Sequence, residues 1–98
     1  MAHVLHQLVL SGDIDLGRAE ELRHAAERFE RAPDCSVQVD LSAVSFLDST
    51  GLAFLARLAR VAGARGGRVA VCAPCPVVRR VLEVSGLLSL VDVVDLHF

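Results

Sequence analysis

The residues of this 98-residue chain best suited to chemistry are Asp48, Ser49 and Thr50, followed by Gly51 and flanked by the apolar stretches Phe46–Leu47 and Leu52–Leu55. A carboxylate and two adjacent hydroxyls between apolar runs allow three uses. The first is nucleophilic catalysis, which needs a base within hydrogen-bond reach of the hydroxyl. The four histidines are His3, His6, His24 and His97, and none falls in a loop after a strand, where an α/β active site gathers its groups. The G-x-S-x-G elbow is also absent. No catalytic residue is therefore assigned, and the chain is not expected to be an enzyme.

The second use is structural. Asp48, Ser49 or Thr50 can cap a helix beginning near Gly51 by accepting a bond from its first unpaired N–H groups. One cap does not explain two hydroxyls side by side. The third use is modification: a phosphate on a hydroxyl at a helix N-terminus gains roughly 0.3–1 kcal/mol from the helix dipole. Such a mark brings about −1.5 to −2 charge to the surface without unfolding the domain that carries it.

Cys72-Ala-Pro-Cys75 is the other pattern with chemical potential, a thiol pair placed between a strand and a helix. Too little chain follows it to complete a thioredoxin-like fold, so Cys72 reads as a small core residue and Cys75 as part of the turn before Pro76. His3 and His6 lie three apart on a strand and so point to opposite faces, a poor geometry for a metal. They read as surface residues, and Arg79-Arg80 as a solvated pair. No metal or cofactor is implied.

The elements that must position these groups follow from periodicity. Val4–Leu10 reads as a strand stopped by Ser11-Gly12. Asp15 caps an amphipathic helix ending near Ala32, with Leu16, Ala19, Leu22, Ala26 and Phe29 at helical spacing. Ala32-Pro33-Asp34 breaks it. Ser36–Leu41 is a strand, Gly51 to about Ala64 a helix with Arg57 and Arg60 on its wet side, and Gly66-Gly67 its end. Arg68–Ala73 is a strand apolar enough to be covered on both faces. Pro76 opens a short helix that Gly86 stops, and Leu90–Leu96 is a last strand. The fold class is α/β, a single domain over residues 1–98 with a mainly parallel four-stranded sheet and about three helices.

Composition narrows the function classes. Aromatics are only 4% of residues, so the core is aliphatic. All ten basic residues are arginines, scattered along the chain, and the net charge is −2, which leaves no electrostatic footprint for nucleic acid. No apolar run approaches the ~20 residues of a membrane span, and the N-terminus lacks the features of a signal peptide. Three cysteines, Cys35, Cys72 and Cys75, make an odd number that does not suit a secreted disulfide framework. A cytoplasmic location without membrane insertion is expected.

The run VDLSAVSFLDSTGLAFLARL resembles the signature of STAS domains, and in particular of the bacterial anti-sigma factor antagonists. SGDID, GGRVAVCAP and VLEVSGLLSLVDV match in order, so the resemblance spans roughly positions 4 to 95 through four ordered motifs. It implies a phosphorylation-controlled partner switch. Unphosphorylated protein binds an anti-sigma factor kinase of histidine-kinase-type ATPase fold and frees a sigma factor. That kinase then phosphorylates Ser49, with Thr50 as a secondary acceptor, and the complex separates until a serine phosphatase resets it.

The resemblance also implies a partner-binding surface of Asp15, Asp48, Ser49, Thr50 and Gly51. The family's usual first strand and C-terminal helix are expected to be lacking, and an unpaired sheet edge is expected to favour a homodimer. Two other readings stand beside this one. A STAS scaffold, stressosome-like or attached to a lipid transporter, would work without phosphorylation. A small thiol oxidoreductase would use Cys72 and Cys75.

Overall fold

The computed structural model describes residues 5–95. Strand β1 (His6–Ile14) leads through a 3-10 turn (Leu16–Arg18) into helix α1 (Ala19–Arg31), strand β2 (Val37–Leu47) and helix α2 (Ser49–Ala64). Strand β3 (Val69–Cys72), helix α3 (Pro76–Val84), a second 3-10 turn (Leu87–Ser89) and strand β4 (Asp92–Val94) follow. The strands lie in the order β1-β2-β3-β4, and every neighbouring pair is parallel. The α/β class and the four-stranded sheet with three helices agree with the sequence pattern. His3 and His97 lie outside the described residues.

One hydrophobic core joins the elements. It takes Leu22, Ala25, Ala26 and Phe29 from α1, Phe54, Leu55, Leu58 and Ala62 from α2, and Val78 and Leu82 from α3. From the strands it takes Leu8, Leu10 and Ile14, then Val37, Val39 and Leu41, then Val69 and Val71. These strand positions alternate, so they share one face of the sheet. The intervening Gln7 and Val9 are exposed and Gln38 and Asp40 half-buried. Cover on both faces, expected for the β3 stretch, is thus replaced by cover on one. Cys72 is buried but lies outside the core cluster, off the shared face.

Two expected boundaries move. Ser11-Gly12 does not stop β1, because β2 twice contributes an extra residue, between the pairs Val9↔Asp40 and Ser11↔Ala43 and again between Gly12↔Val44 and Asp13↔Phe46. These bulges let the ladder resume while the strands bend. Gly12 takes φ +75°, which a residue with a side chain would resist. Both β1 and β2 therefore run well past β3, whose pairing with β2 ends at Asp40↔Cys72. The last strand starts at Asp92 rather than Leu90, because the Leu90 and Val91 N–H groups close a turn on the Leu87 carbonyl after Gly86, which adopts φ +79°.

Leu16 also departs from expectation. It belongs to the 3-10 turn and is 75% exposed, while Ala25 takes a core place that the spacing left unassigned. Helices α1 and α2 are tied by side chains as well as packing. Arg57 donates two hydrogen bonds of 2.7 Å to the Glu30 carboxylate. Arg65 donates to the carbonyls of Phe29, Glu30, Ala32 and Asp34, gathering the last turn of α1 and the chain that leaves it.

Candidate functional site

The C-terminal ends of β1 and β2 finish together, because Ile14 pairs with Leu47. Their following residues, Asp15 and Asp48, therefore occupy neighbouring turns, and the Asp48 N–H donates to the Ile14 carbonyl at 3.1 Å. Each aspartate caps its own turn. Asp15 Oδ1 accepts from the Gly17 N–H at 3.0 Å, and Asp48 Oδ1 accepts from the Thr50 N–H at 2.7 Å. Of the three candidate caps for α2, Asp48 fills the role, and helix α2 begins at Ser49 rather than Gly51. That frees the Ser49 hydroxyl from capping, and its side chain is exposed in the first turn.

Thr50 turns aside. It is half-buried and lines a groove between α1 and α2 with Leu22, Ala26, Phe54 and Arg57. Gly51 is buried, and its role in the turn is steric. A Cβ there would lie 2.2 Å from Leu47 Cδ1 and 3.2 Å from Ile14 Cγ2, so the missing side chain lets α2 start directly above the two strand ends. The structure brings Asp15, Asp48 and Ser49 to one rim and sets Gly51 beneath it.

Two supports of the rim were not apparent from the sequence. Ser45 Oγ donates to Asp13 Oδ1 at 2.7 Å across the bulged part of the β1–β2 ladder. Arg18 donates to the carbonyls of Ser11 and Asp13 and pairs with Glu21, raising its own already high pKa and lowering that of Glu21. Only the Arg18–Glu21 spacing was visible in advance; the carbonyl contacts require the bulges to be known. The rim also displays apolar surface, with Leu16 after β1 and Phe46 at the end of β2, the latter 44% exposed. Of the apolar residues flanking the turn, Leu47 and Leu55 are buried anchors and Phe46 is not.

Asp13, Asp15 and Asp48 lie at this end of the molecule with Arg18 among them, and Leu16 and Phe46 are exposed on the segments that border it. Among the described residues no group of three or more His, Cys, Asp or Glu could share a metal ion, and no helix is long and apolar enough to cross a membrane. Neither described histidine approaches the rim in sequence or pairing: His6 lies 3.4 Å from Asp34 and tilts against Phe29, and His24 is on exposed α1 surface.

The second candidate turn is different. Cys72, Cys75 and Cys35 are all free thiols. Burial pushes the Cys72 pKa up, with the Asp40 charge adding to the shift and a contact with Gln38 opposing it. Cys75 donates a long 3.5 Å contact from Sγ to the Val44 carbonyl. A redox pair needs an activated thiolate, and Cys72 is tuned the opposite way.

An all-parallel sheet in simple sequential order, with helices over one face and a capped, hydroxyl-bearing turn at the end of β2, defines a small α/β domain. The chain belongs to the STAS domain family: the family model described as "Mlab, STAS domain" matches residues 3–92. Among solved structures, it is similar to an anti-sigma factor antagonist from Mycobacterium paratuberculosis, with 31% identity and a TM-score of 0.80 over 91% of this chain and 76% of that one. The anti-sigma factor antagonist SpoIIAA in its unphosphorylated form matches with 21% identity and a TM-score of 0.78, over 97% and 85% of the two chains. The STAS domain of a SulP transporter from Vibrio cholerae shares the fold, at 21% identity and a TM-score of 0.73 over 98% and 77%. No curated protein matches the sequence. The fold is thus that of anti-sigma factor antagonist-like STAS domains.

Proposed function

We propose that the chain is an anti-sigma factor antagonist, a non-catalytic cytoplasmic switch that regulates transcription through its choice of partner. Unphosphorylated, it binds an anti-sigma factor serine kinase through the rim of Asp15, Asp48 and Ser49, with Thr50 in the adjoining groove and Gly51 shaping the turn from below. The kinase transfers phosphate to Ser49, the complex separates, and a serine phosphatase restores the binding form. The observation that carries this reading is the exposed Ser49 hydroxyl beside the Asp48 cap, on a rim that also presents Asp15 and Leu16.

The physical argument for release is local. A phosphate at Ser49 would add about −1.5 to −2 charge beside Asp48 and Asp15. In a packed interface without a compensating cation, repulsion and lost hydration cost several kcal/mol. A loss of about 4 kcal/mol weakens binding roughly a thousandfold. No rearrangement of the fold is needed.

Incubation with the cognate kinase and ATP, read by mass spectrometry of the intact chain and its peptides, tests the reading. One phosphate on Ser49, lost in Ser49→Ala and not transferred to Thr50, is the expected result. A Ser49→Asp variant that bound the kinase as tightly as the unmodified chain would contradict the release mechanism. Absence of transfer from every kinase of this type in the source genome would point instead to a scaffold that works without the mark.

A further inference from the structure

Helix α3 carries two apolar stripes, and the core uses only one. Val78 and Leu82 are fully buried. Val77 and Val84 are 56% and 73% exposed, and their seven-residue spacing places them two turns apart along one line of the helix. Val81, between them, is half-buried. Arg80 and Glu83 are exposed beside this outer stripe.

Neither charge is taken up within the described fold. Arg18, Arg23, Arg57, Arg68 and Arg79 each pair with a carboxylate. Among the described residues Arg80 and Glu83 make no side-chain hydrogen bond or ion pair. The two charges are of opposite sign, so the outer face of α3 is complementary to itself.

We infer that α3 is a homodimer contact, in which the helix packs antiparallel on α3 of a second copy across a two-fold axis near Val81. In a two-fold contact residue i meets j while j meets i. An axis that sets Val77 against Val84 of the second copy necessarily sets Val84 against the other Val77. The same register brings Glu83 of the second copy level with Val78, two residues from Arg80, or roughly 3 Å along the axis. An arginine side chain spans that offset easily, so two symmetric Arg80–Glu83 pairs form along one side of the valine seam, each arginine reaching away from the Arg80 of the second copy, which this register sets one residue off. Neither a one-signed nor a wholly apolar partner would use both charges.

The contact is small beside the ~800 Å² per partner of a stable interface, so the dimer is weak and concentration-dependent. Sedimentation equilibrium on the full chain from ~10 μM to ~1 mM reads it directly. Wild type is expected to shift from monomer to dimer within that range. Val84→Glu should raise the dissociation constant at least about tenfold, by burying a charge in the stripe. Arg80→Glu and Glu83→Arg should each weaken the dimer, and the double exchange should restore it. All three positions are surface ones, and unchanged thermal unfolding of each variant confirms that folding is intact.

A wild type that stays monomeric throughout overturns the inference. So does a dimer indifferent to Val84→Glu, which would place self-association elsewhere, such as the exposed edge of β1. A double exchange no tighter than the single variants overturns the charge pairing and with it the antiparallel register. These outcomes are independent of Ser49 phosphorylation.

Discussion

The turn from β2 into α2 and the turn from β3 into α3 join the same kinds of element at the same end of the sheet, yet they are built on opposite principles. In the first, a side chain satisfies the helix: Asp48 accepts from Thr50 and orders the chain within two residues. In the second, Cys75 occupies the N-cap without a side-chain bond, Pro76 presets the first helical residue, and Ala73 adopts φ 53° to make the corner. The first uses polar chemistry and leaves a hydroxyl exposed. The second uses backbone constraint and leaves one thiol buried and the other packed against the core. Fold alone does not make a functional turn; what differs is which group is left over once the helix has been satisfied.

The largest expected effect comes from filling the close approach beneath the polar turn. Gly51→Ala puts a methyl group into Leu47 and should destabilise the protein by about 1–3 kcal/mol in urea unfolding. Gly63→Ala is the control within the same helix. A Cβ there has nothing within 4 Å, so the change should stabilise by about 0.5–1 kcal/mol. Equal effects at the two positions would mean that the packing under Ser49 is not tight.

Removing the cap comes next. Asp48→Ala should cost about 1 kcal/mol, within the usual 0.5–2 for such losses. The counterpart at the other turn is Cys75→Ser, for which a change below about 0.5–1 kcal/mol in either direction is expected, since no cap bond is lost there. A Cys75→Ser loss as large as that of Asp48→Ala would erase the distinction between the turns.

The smallest effect concerns pH. Burial holds the Cys72 thiol above its ordinary pKa of 9.0, so the native chain keeps this proton more tightly than the unfolded chain. The stability from that preference is complete below about pH 9 and fades as the pH rises through the native value. In native protein, alkylation by iodoacetamide should follow the order Cys35, Cys75, Cys72, with Cys72 reacting only as the chain opens. Rapid labelling of Cys72 at pH 8 would revive the thiol-exchange reading.

Much of this architecture was legible because it rests on short-range signals. The alternation of apolar strands with amphipathic helices, Pro33 and Pro76 as breaks, and Gly86 as a stop all act within a few residues. Asp15 and the Asp48–Thr50 turn could be picked out on the same ground. The ends of β1 and β2 could not, because their continuation past Ser11-Gly12 depends on bulges in a partner strand far along the chain. Arg18 and Ser45 were missed for the same reason: their partners are Ser11, Asp13 and the opposing strand. Leu16 was placed on the apolar face of α1 by spacing and Phe46 in an apolar flank, and neither pattern tells an anchor from a displayed contact.

Arg65 bears on how the proposed Ser49 mark would act. It holds four carbonyls at the close of α1 from a point just beyond the last residue of α2, while Ser49 is the first residue of that helix. At 1.5 Å per residue, the 16-residue helix separates the two by roughly 24 Å. The bar that bears the hydroxyl is therefore bolted down at its far end and braced midway by the Arg57–Glu30 pair. Pushing on its near end would move little. Under the proposed switch, a phosphate on Ser49 would have to be read where it is written, by whatever touches that rim, much as a seal is read on the outside of a closed letter.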